Sequence, residues 1–293
     1  MLARRLLELI RFSHTVFALP FAFIAALLAW QDEEFRATDL IGIVLCMVFA
    51  RSAAMAFNRL VDRDIDARNP RTAGRHLPAG LLQTRTVAIF AVLCGLGFIL
   101  STTLFLQRMP ENPWPLYLSV PFLLFLLGYS LAKRFTGLAH IWLGVALALA
   151  PVGAWIAIVG IEGLGLPLLL GVAVMCWVAG FDILYACQDA DFDRAEGLHS
   201  IPAKLGVTNS LRVAAVLHAL MFILLVFLGL VSVHLGPLYL GGLGLVGALL
   251  VYEHSLVDAR DLTRVNRAFF HVNGVISMGL LALVILQLLV KQR

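Results

Sequence analysis

Nine apolar windows, each close to the length a helix needs to cross a bilayer, follow one another along this 293-residue chain. They fall at about residues 12–30, 40–57, 86–106, 114–131, 140–160, 165–185, 210–232, 236–252 and 270–290. Inside hydrocarbon every backbone amide and carbonyl must be bonded within the segment, so windows of this length are expected as helices. The fold class that follows is all-α: a polytopic membrane protein of about nine transmembrane helices. The connections at 31–39, 107–113, 161–164 and 233–235 are short and none is of low complexity, so residues 1–293 are expected to form a single domain. Composition agrees, with 14% charged residues against roughly 25% in soluble domains.

Lysine and arginine set the orientation, because they accumulate on the cytoplasmic side. With the N-terminus inside, seventeen of the 22 basic residues fall in inner segments, from Arg4, Arg5 and Arg11 through Arg260, Arg264 and Arg267. Arg36, Arg108, Lys291 and Arg293 are outside, and Arg51 is within the second window. The alternation predicts N-in, C-out topology across a cytoplasmic (inner) membrane. The first window is longer than a signal-peptide core and no A-x-A site follows it, so it reads as a retained span. A net charge of +4 spread by loop rather than gathered in a patch excludes nucleic acid as a partner. The four cysteines form no CxxC pair and the eight histidines no HExxH spacing, so neither set reads as a metal centre. GLGLVG, residues 242–247, fits GxGxxG but lies inside an apolar window without a preceding strand, and reads as close helix packing.

Against this background the stretch NRLVDRDIDARNPRTAGRHLPAG, Asn58 to Gly80, is dense in polar groups. Asn58, Asp62 and Asp66 recur every four residues and share one helix face. A row of oxygen ligands at the end of a membrane helix suggests a divalent cation. Carboxylates at a helix C-terminus also oppose its dipole and call for compensating positive charge. Arg51 sits on the same face two turns deeper, where it either pairs with an aspartate such as Asp182 or binds an anionic substrate.

A second row lies in DILYACQDADFDRAEG: Asp182, Tyr185, Asp189 and Asp193 follow i, i+3, i+7, i+11. Asp182 is at membrane depth, where an unpaired carboxylate costs several kcal/mol. Facing rows of ionised aspartates need cations between them. Mg²⁺ takes one or two carboxylates and completes its shell with water and phosphate oxygens, so paired rows suit a metal-bridged diphosphate. Asp64 and Asp191 fall out of register and are expected to face water. Tyr129 and Lys133 form an i, i+4 pair at the inner end of the fourth window; Lys133 reads either as a substrate contact or as a positive-inside residue.

With these residues in view, the chain resembles the UbiA superfamily of intramembrane prenyltransferases over most of its length. Asn58, Asp62 and Asp66 match that family's N-D-x-x-D-x-x-x-D motif, and Tyr185, Asp189 and Asp193 match its tyrosine-preceded D-x-x-x-D motif. RTAGRHLPAG resembles the R-x-x-x-R-x-L-P-x-G tail, and Tyr129 with Lys133 the Y-x-x-x-K pattern. One position departs: Arg59 stands where the family has its first aspartate, which leaves fewer ligands for a first metal.

The resemblance implies a helical bundle around a lipid-accessible cavity and, on the cytoplasmic face, transfer of a polyprenyl group from its diphosphate to a small aromatic acid of the 4-hydroxybenzoate type in quinone biosynthesis. It implies Mg²⁺ held by Asp62, Asp66, Asp189 and Asp193 with Asn58, diphosphate contacts from Arg75 and Lys133, and an acceptor carboxylate on Arg51. Asp182 and Tyr185 would position the ring or steady the allylic cation. The wording of both motifs also suits a branch acting on 1,4-dihydroxy-6-naphthoate in the futalosine route to menaquinone. No obligatory protein partner is expected. Two other classes remain in view: a cation-coupled transporter, disfavoured because these rows lie at one face rather than at the midplane, and a CDP-alcohol phosphotransferase, whose D-G-x-x-A-R start is absent.

Overall fold

A computed structural model of the chain describes residues 2–10, 18–108 and 111–291, with backbone alone at 267–269. Arg11, Arg293 and the opening of the first expected span, residues 12–17, lie outside them. Thirteen α-helices follow in order: α1 Leu2–Leu9, α2 Leu19–Ala29, α3 Ala37–Val61, α4 Arg63–Arg68, α5 Thr84–Thr102 and α6 Trp114–Ala132. Then come α7 Ala139–Val159, α8 Gly165–Ala186, α9 Ala190–Ala195, α10 Ile201–Val231, α11 Pro237–Ser255, α12 Val265–Arg267 and α13 Asn273–Lys291. Short 3₁₀ turns follow α5 and α8, and a π turn, Ala268–Val272, precedes α13. Among the described residues the sole β feature is an isolated bridge between Asp258 and Asp261. The all-helical expectation holds.

Seven of the described helices are long and apolar enough to cross a membrane. They coincide with the second to seventh and the ninth expected spans. Two expected spans fall short of that standard: α2 runs for 11 residues, and α11 ends in the polar run Tyr252, Glu253 and His254. The seventh span begins earlier than expected, at Ile201, and takes a kink at Gly206, whose φ of +74° a side chain would strain.

The helices form two compact units. One gathers α1 and α3 to α6, the other α2 and α7 to α13. In the first, α3 and α5 pack closely because glycines admit aromatic rings. A Cβ at Gly42 would stand 2.7 Å from Phe105, and one at Gly97 would stand 2.9 Å from Phe49. Near the start of α3, Asp39 and Arg108 form a buried ion pair, so Arg108 is satisfied without solvent. At the other end Leu9, Ile10, Ala56, Leu77, Leu82 and Val87 make an apolar cluster under the loop that follows α4.

In the second unit α8 is the central helix; Trp177, Val178 and Ala179 are fully buried. Its glycines again set the spacing: a Cβ at Gly180 would meet the His218 ring at 2.3 Å. That ring hydrogen-bonds the Trp177 carbonyl at 3.2 Å and the His254 ring at 3.0 Å. Trp177 donates its indole N–H to Asn273 at 2.7 Å, and Asn273 donates to Glu253 at 2.6 Å. Four helices thus share one buried polar array. The outer glycines of the GxGxxG stretch serve packing, since Gly242 abuts Leu283 and Gly247 abuts Phe222, while Gly244 faces open space.

Candidate active site

The two acidic motifs are built alike. α3 carries Asn58 and ends at Val61; Asp62 caps it with φ −88° and ψ 4°, and the six-residue α4 then begins. α8 carries Asp182 and Tyr185 and ends at Ala186; a 3₁₀ turn leads to Asp189, with φ −104° and ψ 5°, and the six-residue α9 begins. Each motif's first aspartate occupies the sparsely populated bridge region, where functional residues are often found. Each second aspartate, Asp66 or Asp193, is the fourth residue of its short helix. The continuous helical face expected for each row is therefore corrected. Both rows break at the first aspartate, because its backbone leaves the helical basin. The i+4 amide bonds Asp62 N to Asn58 O (2.9 Å) and Asp66 N to Asp62 O (2.7 Å) survive the break, which keeps the first row in step.

The first row is closed by its own arginines. Asn58 donates to Asp62 at 2.9 Å. Arg75 Nη1 reaches both oxygens of Asp66, at 2.7 and 2.8 Å. Arg59, the departure from the family pattern, is buried; it donates to the Asn58 side-chain oxygen at 3.1 Å and stands 4.0 Å from Asp66. A cation thus sits inside the row at the position where the family has an acid. The following loop folds back through Thr72, whose hydroxyl donates to the Asp66 carbonyl at 3.0 Å, and turns at Gly80 with φ +68°. Helix α1 fastens it: Arg5 donates to the Leu81 carbonyl at 3.0 Å, and Glu8 lies 3.4 Å from His76. Hydrogen bonding from Arg4 first, and from His76, holds the exposed Glu8 carboxyl below its usual range. Asp64 pairs with Arg63 on the exposed side, as its register implied. Deeper in α3, Arg51 Nε is buried without a hydrogen-bond partner.

The second row is closed differently. Asp189 and Asp193 are both buried, and Asp193 Oδ2 has no hydrogen-bond partner. The nearest cation is Lys133, whose Nζ stands 3.9 Å away. Lys133 follows the end of α6, where Tyr129 is half-buried, and its carbonyl accepts from the His199 amide at 2.7 Å. Tyr185 meets Phe270 edge-on at 6.2 Å between centroids. Asp191 is fully exposed and pairs with Arg194. Asp182 bonds His140, fully buried on α7, at 2.6 Å. A partner for Asp182 was demanded by its depth, and a histidine at the start of α7 was the available signal. The sequence reading did not take it.

Among the described residues no three His, Cys, Asp or Glu side chains stand together as a metal cluster. The donor set nonetheless fits Mg²⁺ used with a phosphate ligand. That ion needs few protein carboxylates, and a buried carboxylate oxygen with no donor is an open position for it.

A helical membrane protein with an acidic break at the ends of two long helices is the class this fold defines. The UbiA prenyltransferase family model matches residues 18–275. The 4-hydroxybenzoate octaprenyltransferase of Aromatoleum aromaticum is 32% identical over 240 residues, 81% of this chain and 78% of that protein. That of Edwardsiella ictaluri is 34% identical over 241 residues, covering 80% and 79%. Among solved structures, the apo form of a UbiA homolog from Aeropyrum pernix K1 matches with TM-score 0.82 and 32% identity, over 96% of this chain and 98% of that one. A UbiA homolog from Archaeoglobus fulgidus bound to DMAPP and Mg²⁺ shares the fold, with TM-score 0.73 at 19% identity over 98% and 99% of the two chains. The chain belongs to the UbiA prenyltransferase family. It is a prenyl-transferring membrane enzyme, which removes the transporter and phosphotransferase readings.

Proposed function

We propose that this enzyme moves a polyprenyl group from its diphosphate to an aromatic acid of the 4-hydroxybenzoate type, with a divalent metal, Mg²⁺, on the diphosphate. The observation that carries the reading is the repeated acidic break, Asp62 with Asp66 and Asp189 with Asp193, in a chain about one-third identical to curated 4-hydroxybenzoate octaprenyltransferases. Bound metal supplies neutralisation of charge developing on the departing diphosphate.

The chain's own groups do the rest. Asp62, Asp66, Asp189 and Asp193, with Asn58 orienting Asp62, hold the metal and diphosphate. Lys133 and Arg75 place positive charge on phosphate oxygens. The allylic C–O bond breaks with its electron pair leaving on pyrophosphate. A ring carbon of the acceptor then bonds the allylic carbon, and the ring releases a proton. Arg51, with its buried unpartnered Nε, is placed to take the acceptor carboxylate. Asp182 and Tyr185 position the ring and steady the allylic cation. The exposed apolar helix surfaces lie against lipid of the cytoplasmic membrane, N-terminus inside and C-terminus outside, and residues 1–293 act as one catalytic domain.

The test is a competition. Purified protein receives Mg²⁺, one long-chain polyprenyl diphosphate, and equal 4-hydroxybenzoate and 1,4-dihydroxy-6-naphthoate, with products read by mass. Prenylated 4-hydroxybenzoate as the main product supports the acceptor assignment, and prenylated naphthoate overturns it. Transfer undiminished by Asp62→Ala or Asp189→Ala would overturn the metal-site assignment.

A further inference from the structure

His140 belongs to no motif, yet it is fully buried and joins three elements. Its Nδ1 lies 2.6 Å from Asp182 Oδ2, and its Nε2 is 3.4 Å from the Ile201 amide nitrogen. That amide hydrogen needs a lone pair, so Nε2 is unprotonated and the imidazole proton is on Nδ1, donated to Asp182. The tautomer is imposed by helix α10. Its first turn has no other use for the ring: Pro202 has no amide hydrogen, Ala203 N bonds the Ser200 side chain at 3.2 Å, and Lys204 N bonds the Ser200 carbonyl at 3.1 Å.

We propose that His140 is a positioning residue for Asp182. Among the described residues it is the sole hydrogen-bond partner of that carboxylate. With the ring anchored at both nitrogens, one carboxylate oxygen is fixed and the rotation of the other, Oδ1, is set. Oδ1 is left to act on the substrate. The short bond also gives Asp182 the polar partner that a carboxylate at membrane depth requires. The arrangement follows the logic of metal- and base-orienting histidine–carboxylate pairs with the roles exchanged: the histidine orients and the carboxylate meets substrate. The inference rests on the proposed role of Asp182 in the prenyl transfer.

A double-mutant cycle tests it, with kcat, KM for the prenyl diphosphate and thermal midpoint measured for each protein. His140→Leu removes the donor and is expected to lower kcat about tenfold to a hundredfold, with KM for the diphosphate within about twofold. His140→Gln carries an amide donor and acceptor on one arm and is expected to restore kcat to within about threefold. In an Asp182→Asn background, His140→Leu is expected to add less than about twofold, because the residue through which it acts is already altered. A full further loss in that background, or a kcat that falls only as far as the folded fraction, would overturn the positioning role. If Asp182→Asn itself is as active as the parent, the role of Asp182 fails and this inference fails with it. An impaired Asp182→Asn beside a fully active His140→Leu sinks the positioning role alone.

Discussion

The two acidic elements share a backbone plan and differ in how their charge is balanced. After α3, Asp66 is gripped by Arg75 at 2.7 Å, with Arg59 4.0 Å away. After α8, Asp193 is more deeply buried, has an oxygen with no donor, and stands 3.9 Å from Lys133. The first element is electrostatically complete by itself, and the second is not. A buried carboxylate oxygen without a hydrogen bond is held against its own desolvation by the rest of the fold, and it gains most when a cation arrives. Of the two, the second leaves a carboxylate oxygen open, while in the first Arg75 already covers both oxygens of Asp66.

The sharpest way to break this contrast is to neutralise the two second aspartates in turn. Asp66→Asn and Asp193→Asn are each expected to reduce prenyl transfer by about a hundredfold to a thousandfold. Their stabilities should part in sign. Asp66→Asn strands two arginines and is expected to lose about 2–3 kcal/mol, below the full range for a buried pair because Arg75 is 22% exposed. Asp193→Asn removes a buried charge that has only a long ion pair with Lys133, and is expected to be neutral or about 1 kcal/mol more stable. Unfolding midpoints in detergent without divalent metal decide it, and equal losses would erase the distinction.

Arg59→Asp converts the first element toward the second, adding an acid where the structure has a cation. Its stability is expected to become dependent on divalent metal, dropping by about 1–2 kcal/mol without Mg²⁺ and recovering with it. Melting curves with and without Mg²⁺ check this; no difference would show that Arg59 balances nothing. Lys133→Ala is a smaller perturbation. Lys133 is 33% exposed and distant, so stability should change by less than about 0.5 kcal/mol, while KM for the diphosphate rises severalfold in steady-state assays. At the bottom of the scale, Asp64→Asn and Asp191→Asn sit in the same short helices but face water. Both are expected within about 0.5 kcal/mol of the parent in stability, and close to it in activity.

Hydrophobic periodicity made the helical class and most of the spans legible, because hydrocarbon leaves a backbone little choice. It is least decisive where length or apolarity is marginal: α2, whose N-terminal side lies outside the described residues, and α11, whose C-terminal end holds Glu253 and His254. The acidic residues were legible from their spacing by four. Their local geometry was not, since a bridge-region backbone at Asp62 and Asp189 leaves the spacing unchanged. Asp182 announced that it needed a partner, but tertiary packing decides which residue answers. Arg51 was one candidate for it, and the hydrogen bond goes to His140. Arg59 looked like a missing ligand because a motif is compared position by position; its side chain works instead within the row, between Asn58 and Asp66.

The polar array of Trp177, His218, Glu253, His254 and Asn273 has a consequence for how the protein is made. Glu253 leaves the ribosome after His218, which stands 3.6 Å from it, but before Asn273, the donor it bonds at 2.6 Å. A chain stopped short of Asn273 is expected to leave Glu253 without that donor, at the cost of a buried polar group with one bond fewer.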